Sequence, residues 1–476
     1  MSYSFDDKNL AMSNLAFASY VIRVLADYLT AQGKQIQVAT GADSYDALLP
    51  DGIDELSGPI YLDVKCFGTN KNSYFRSVEN YSQNSKDTNK GNLLIILGDV
   101  FTDRSKESLL KLAQSRAKRR VVIWDLQDFT NRTKGYQQKH KNYVDRPAKA
   151  VFEEAINAPA SDESFQKSRD SLLGALKRRY QNQDLALFLG AGVSVDAGIP
   201  KWNVLINSLL SEMILHIASK DHDTLLSSHL DEIIKLAYEN KEESPITQMR
   251  YIRGAFSSEE YQKIVHDTLY KRNPKPFTEL LNAIAAICTP KRNHIGVQGV
   301  VTFNFDDLLE RRLRKLNVLL NTISNESDIT DPDRLSIFHV HGFLPQGNNE
   351  YDENLELIFS EEDYHRVYRD AYAWSNIVQL NYLREHTCLF IGCSLTDPNL
   401  RRLLDVATRN NEKPRHFAIL RRNSILETSG INPDALKTYE RIDLNLREKC
   451  YAAMGINIIW IDEYKDIPKI LERLLL

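Results

Sequence analysis

The stretch "LALFLGAGVSVDAGIPKW", residues 185–202, decides how the rest of the chain is read. A run of apolar residues as long as a buried strand meets Gly190, Ala191 and Gly192, then Ser194, a proline and Trp202. A buried strand that breaks into glycines lets the backbone turn sharply and approach a ligand closely, as a pyrophosphate requires at a helix N-terminus. Ser194 adds a hydroxyl donor to that turn. Glycines after a strand also serve simply to turn the chain, so the stretch alone leaves both readings open.

Further apolar runs follow: "GVVTFN" (299–304), "SIFHVH" (336–341), "HTCLFIG" (386–392), "HFAILR" (416–421) and "INIIWID" (456–462). Helical stretches separate them, and buried runs alternating with helices predict an α/β domain with a doubly wound parallel sheet. A helix over 163–182 precedes the first run. The interval of about 203–292 is rich in helix formers and reads as a helical insertion covering one end of the sheet. Upstream, Leu10, Leu15, Phe17, Val21, Val24, Leu25 and Tyr28 recur at helical spacing within 8–31. Strand-like runs at 36–40, 60–67, 93–100 and 120–126, with a helix over 103–117, complete a smaller α/β domain. Apolar periodicity fades over 127–162. The expected organisation is therefore a domain at 1–126, a linker at 127–162, and a second domain at 163–476.

Composition agrees with several domains, since 476 residues exceed what one core usually supports. With 42% hydrophobic and 26% charged residues, and no apolar run near the roughly 20 residues that span a bilayer, membrane insertion is not expected. The polar, acidic start "MSYSFDDKNL" lacks a secretory pattern, so the expected location is the cytoplasm. A net charge of −4 gives no global attraction to nucleic acid. Locally, "SRAKRR" (115–120) and "RTKGYQQKHKNYVDRPAK" (132–149) are basic, read either as a solvated connector or as a contact to DNA phosphates. Of Cys66, Cys288, Cys388, Cys393 and Cys450, only Cys388 and Cys393 are closely spaced, and neither zinc nor a disulfide framework is implied.

The order "GAGVSVDAGIPKW", "TFNFDDLLE" (302–310), "HVHG" (339–342) and "FIGCSLTDPNL" (390–400) resembles the sirtuin catalytic domain. More closely it resembles the sirtuin-like NAD hydrolases of bacterial antiphage defence, from about residue 185 to the C-terminus. That resemblance implies a Rossmann-like sheet. It places Gly190, Ala191, Gly192 and Ser194 on the NAD diphosphate, and makes "GIPKW", with Trp202, the start of a loop closing over the nicotinamide. It assigns Asn304 to the nicotinamide ribose, Asp306 to the carboxamide, His341 to the general base, and Gly392 and Ser394 to the adenine-side ribose.

These residue types suit the chemistry. Breaking the nicotinamide–ribose bond leaves an oxocarbenium-like sugar, so the site needs a held ribose, a positioned water and a base. An asparagine orients hydroxyl and water, a histidine takes a proton near neutral pH, and a dry lid strengthens the electrostatics. Against this, a histidine in a strand is often a satisfied core residue, and His339 shares the face of His341. Asn304 and Asp306 also suit capping of a helix over 307–313. Deacylating sirtuins carry a zinc module with two cysteine pairs, which this sequence lacks. After the HG motif comes instead "LELIFSEEDYHRVY" (355–368), similar to the defence-type proteins. Water as acceptor, giving ADP-ribose and nicotinamide, is the expectation.

In the first domain, "YDALLPDGIDELSGPIYLDVKCF" (45–67) resembles the PD-(D/E)xK restriction-endonuclease-like fold in its Mrr-like form. The resemblance implies Mg2+ on Asp54 and Asp63, with Lys65 aiding the attacking water. A D/E-x-K triplet arises by chance about four times in such a chain, so the triplet alone proves nothing. The runner-up function is accordingly a DNA nuclease whose second domain senses NAD or ADP-ribose. A domain that keeps the shape for docking or DNA sensing is also open. Unchecked NAD loss would kill the host, so gating by a homo-oligomer or partner is expected. The resemblance names a HerA-type hexameric ATPase as that partner.

Overall fold

The computed structural model describes residues 10–38, 45–66, 74–75, 91–117, 119–146, 149–150, 153, 162–220, 229–239, 245–347, 351–408, 414–422 and 432–476. By backbone packing the chain divides into two compact units. One comprises Met1–Ala175, Asp405–His416 and Arg422–Ile459; the other comprises Leu176–Leu404, Phe417–Arg421 and Trp460–Leu476. Among the described residues no helix is long and apolar enough to cross a membrane.

The first unit holds a five-stranded sheet of β1 (Gln37–Val38), β2 (Ala47–Leu49), β3 (Ile60–Lys65), β4 (Asn92–Leu97) and β5 (Val121–Trp124), in that order. β1, β2 and β3 pair antiparallel, whereas β3, β4 and β5 run parallel. Alternation sends Ile60, Leu62 and Val64 to one face, where Val21, Leu25 and Leu29 of the helix Leu10–Thr30 cover them. Leu93, Ile95 and Leu97 face the other way, onto Leu109 and Ala113 of the helix Asp103–Arg116. Each face buries its own apolar cluster.

Part of the stretch expected as a linker is folded. Asp125 and Asp128 form a capping box that starts a helix at Leu126–Arg132, and its Leu126 and Phe129 are buried in the first of those clusters. Tyr136, Tyr143 and Val144 pack partly against the same cluster. A helix of two turns with two apolar anchors leaves too little periodicity to be read from sequence.

The second sheet has seven strands in the order β12-β11-β10-β6-β7-β9-β8. These are β6 (Leu185–Leu189), β7 (Val300–Thr302), β8 (Leu320–Ile323), β9 (Leu335–His339), β10 (Thr387–Ile391), β11 (His416–Arg421) and β12 (Ile456–Ile461). All registered pairs from β11 to β8 are parallel. β6 and β10 are buried at every residue, as continuous apolar strands in a sheet covered on both faces should be. The expected α/β class with a parallel, Rossmann-like sheet and a smaller N-terminal sheet is what the structure shows. The interval read as helical carries Trp202–Lys220, Leu230–Glu239, Pro245–Gly254, Ser258–Tyr270 and Glu279–Cys288.

Connectivity fixes where a ligand would sit. From β6 the chain proceeds to β7, β8 and β9 on one side, then crosses to β10, β11 and β12 on the other. The order therefore reverses between β6 and β10. In open parallel sheets, the crevice beyond the carboxyl ends of strands at such a switch point is the ligand site.

Candidate functional site

The four sequence motifs follow β6, β7, β9 and β10, which are neighbours in the sheet. Register brings their ends level. Leu189 pairs with Ile391, so Gly190 and Gly392 leave the sheet side by side, and Thr302 pairs with His339, so Asn304 and His341 do the same.

The two glycine turns interlock. Gly190 N–H donates to the Ile391 carbonyl and Gly192 N–H to the Gly392 carbonyl, each at 3.0 Å. A Cβ on Gly190 would lie 2.6 Å from the Gly392 oxygen, and one on Gly392, at φ +68°, would lie 2.6 Å from the Val193 nitrogen. Only glycine fits either place. The strand leads not into a full helix but into the three-residue 3-10 turn Ala191–Val193. The Gly192 and Val193 amides and that of the capping Ser194 are used within the fold, on Gly392 O, Gly190 O and Ala191 O. The helix N-terminus expected to face a pyrophosphate is therefore not formed here. Close packing of two turns accounts for the glycines.

Ser194 departs from its expected place as well. It is 1% exposed, accepts from Asn304 Nδ2 at 3.2 Å and bonds the Asp306 carboxylate. A hydroxyl has one proton, and here the carboxylate takes it. Ser194 ties Asn304 to Asp306 rather than offering its donor to a diphosphate. Asp306 is buried, and burial raises its pKa to about 6 against the opposing hydrogen bonds from Ser194 and the Leu308 amide. That amide belongs to the first turn of the helix Leu308–Lys315, so Asp306 also caps it.

Asn304 is pinned on three sides. Its N–H donates to Thr302 Oγ1 at 3.1 Å, its carbonyl accepts from His339 Nδ1 at 2.9 Å, and its Nδ2 binds Ser194. Its Oδ1 is buried with no hydrogen-bond partner. A cavity of about 10 Å³, room for about one water, lies among Ser194, Thr302, Asn304, Asp306, Glu310 and His339. A buried acceptor without a donor is costly, which marks Oδ1 as a place for a water or a ligand hydroxyl.

His341 stands one strand over, 6% exposed, with the Phe303 ring edge-on at 5.0 Å and the Tyr364 ring at 5.9 Å. Burial lowers its pKa, against the pull of the Asp397 and Asp363 carboxylates. Asp397 Oδ2 lies 3.9 Å from His341 Nε2 and accepts from Tyr364 Oη at 2.5 Å, while its Oδ1 caps the Leu400 amide. Gly342, at φ +108°, approaches the Glu356 carbonyl so closely that no Cβ fits, and the Ile358 amide binds the His341 carbonyl. Ser394 is exposed and bonds Thr396. Trp202 packs 4.4 Å from Phe359, which meets Phe305 edge-on at 5.5 Å. An aromatic ladder thus joins the start of the helical interval to the loop after β7.

Glu310, His339, Tyr364 and Asp397 belong to this site, and sequence reading assigned none of them a role. All lie inside quoted motifs. Glu310 also carries a sequence signal, an acid at i+4 from Asp306 on a helix whose Leu308, Leu309 and Leu313 are buried.

The metal pair expected in the first unit is not brought together. Asp63 is buried with Lys65 Nζ at 2.9 Å, on the face of the sheet that carries Ile95 of β4, its register partner. Asp54 bonds Tyr28 Oη, and Arg132 Nη1 at 2.8 Å. Tyr28 packs on the opposite cluster, and Arg132 stacks over Trp124 of that cluster at 4.8 Å. The two carboxylates point to opposite sides of the sheet, so the expected Asp54–Asp63 pair does not fit Mg2+. Among the described residues no group of three or more His, Cys, Asp or Glu side chains is placed to hold a metal ion.

Fold and site together define a Rossmann-like α/β domain with Asn, Asp and His side chains gathered at adjacent strand ends. Residues 298–444 match the family model of the SIR2-like domain. The chain is similar to the NAD(+) hydrolase ThsA of Enterococcus faecium, 23% identical over 314 residues, covering 64% of this chain and 57% of that protein. It is 21% identical over 318 residues to the NAD(+) hydrolase ThsA of Acinetobacter baumannii (strain 532279), covering 65% and 57%. To defense-associated sirtuin 2 of Bacillus subtilis it is 22% identical over 292 residues, covering 61% and 26%. The matched region thus spans little more than half of the ThsA proteins.

Proposed function

We propose that the chain is an NAD+ glycohydrolase, splitting NAD into ADP-ribose and nicotinamide in antiphage defence by NAD depletion. The observation that carries the reading is the buried, unpartnered Asn304 Oδ1 beside a buried histidine, at the switch point of a parallel sheet. Asn304 Oδ1 accepts from a hydroxyl of the nicotinamide ribose or from the attacking water. Water oxygen bonds to the anomeric carbon as the carbon–nitrogen bond breaks, and nicotinamide leaves with the bonding pair as a neutral pyridine. His341, kept neutral by burial, receives the water proton. Asp306 meets the carboxamide. The aromatic ladder through Trp202 excludes water from the nicotinamide end. Gly190, Ala191, Gly192, Gly392 and Ser394 line the crevice for the diphosphate and adenine-side ribose, the glycines letting the two turns pack close enough to form its floor.

The similarity to ThsA and to a defense-associated sirtuin supports the substrate and the setting. Assembly into a homo-oligomer and a HerA-type ATPase partner complete the proposal, carried by the motif resemblance. For the N-terminal domain we infer an endonuclease-like shape kept for docking or DNA sensing, because its two acids do not share a face. The test is a time course of NAD with pure protein and with His341→Ala. Loss of NAD with equimolar nicotinamide in the wild type, abolished in the variant, is expected. Unchanged NAD loss in the variant would sink the assignment.

A further inference from the structure

The motif histidine that is not the proposed base carries an unusual set of partners. His339 ends β9 at 1% exposure, with Nδ1 2.9 Å from the Asn304 carbonyl and Nε2 2.6 Å from Glu310 Oε1. A carbonyl oxygen can only accept, so Nδ1 carries a hydrogen in every protonation state of the ring. Across the second contact one proton is held between ring and carboxylate, on either atom. The ring is thereby fixed at both ends, and Phe343 packs against its face at 4.4 Å.

Such a pair is poor value as simple glue. Glu310 is also 1% exposed, and burying two ionisable groups costs enough desolvation that well-packed apolar residues usually serve stability as well or better. What the pair does provide is direction. It fixes the Asn304 carbonyl while Thr302 fixes the Asn304 N–H and Ser194 fixes Nδ2, leaving Oδ1 as the unpartnered polar atom of a residue that lines the small cavity. We propose that Glu310 and His339 are positioning residues: Glu310 orients the His339 ring, whose Nδ1–H holds the Asn304 carbonyl and so aims the Asn304 carboxamide at the reacting sugar. This deepens the NAD hydrolase reading and rests on its assignment of Asn304. The charge pattern agrees, for burial opposes a charged His339 but the Glu310 carboxylate outweighs it and raises the ring's pKa.

The experiment is a mutant cycle on the full chain. His339→Phe keeps a flat ring without N–H groups and should lower kcat about tenfold or more, with KM for NAD within about threefold, since a small misplacement of a positioned group acts mainly on the reacting geometry. The double variant Asn304→Ala/His339→Phe should be no slower than Asn304→Ala, because His339 acts through Asn304. Glu310→Ala should show the same kcat loss and Glu310→Gln should recover it, the amide donating to Nε2 in place of the shared proton. Full kcat per folded molecule in His339→Phe, or a double variant slowed by the product of the single losses, overturns the proposal. If the wild type binds NAD without splitting it, the hydrolase reading falls and the same cycle is read in NAD affinity by calorimetry. Non-additive losses there uphold the positioning, and additive ones overturn it. A wild type that neither splits nor binds NAD overturns both.

Discussion

Asp306 is buried between Ser194 and the first turn of the helix Leu308–Lys315, and Asp306→Asn isolates what it costs to keep an ionised carboxylate there. Its pKa of about 6 in the fold stands against 3.8 for the free group. Below about pH 4 the carboxyl is protonated in folded and unfolded chains alike and contributes nothing. As pH rises from about 4 to 6, the unfolded chain ionises while the folded one resists, so stability falls. Above about 6 the full cost is in place, and at about 1.4 kcal/mol per pKa unit it comes to about 3 kcal/mol. Asparagine carries no such cost and keeps an oxygen for the Leu308 amide. The variant should therefore match the wild type at pH 4 and exceed it at pH 8. Each kcal/mol moves Tm by about 2–4 °C in a domain of 150–250 residues, so Tm should rise about 6 °C or more at pH 8. The assay is thermal melting without NAD at both pH values. An equal effect at pH 4 and pH 8, or a loss at pH 8, would refute the argument that the ionised carboxylate is what the fold opposes. NAD turnover should fall in the same variant, as expected where a site holds a group at the expense of stability.

Three other outcomes follow from the geometry. Gly392→Ala forces a left-handed alanine against the Val193 amide and should lower stability by at least about 2 kcal/mol, visible as a drop in Tm; an unchanged melt would refute the interlock. Because burial lowers the pKa of His341, the acid limb of kcat/KM should lie below the usual histidine value of 6.5, and Asp397→Asn should move it lower still by removing a charge that favours the imidazolium; a limb at or above 6.5 contradicts this. Asp63→Asn removes the carboxylate 2.9 Å from the buried Lys65 ammonium and should cost about 3 kcal/mol in denaturant melts, while plasmid DNA with Mg2+ stays intact; cleavage abolished by both Asp54→Ala and Asp63→Ala would restore the nuclease pair.

The parallel sheet was legible because β6, β7, β10, β11 and β12 are apolar runs with no competing period. β8 was not, for Leu320–Ile323 is partly open at three of its four residues and lies at the sheet edge, where apolar content falls. Asn304, Asp306 and His341 could be picked out because their motifs keep short, fixed spacings. What those motifs hold could not be read from spacing. Glu310 meets His339 across 29 residues, and Tyr364 meets Asp397 across 33, so their partnerships exist only once β10, β6, β7 and β9 are assembled in one sheet. Ser194 shows the converse. Its place in the glycine turn suggested a ligand donor, whereas the fold spends its proton on Asp306. Asp54 and Asp63 show how strand alternation decides a site that a motif alone leaves open.

The hydrogen bonds between the turns after β6 and β10 join backbone atoms from segments about two hundred residues apart, at Gly190, Gly192 and Gly392, and the Cys393 thiol lies against the Phe188 carbonyl beside them. Changes of neighbouring side chains have little hold on such a joint, because its close approaches at Gly192 and Gly392 are between main-chain atoms. A chimera that imports residues 185–202 from a relative without its 386–400 counterpart must reproduce the same two backbone paths or lose the crevice. The two segments are thus one structural part, and grafting or directed evolution of ligand preference here has to exchange them together.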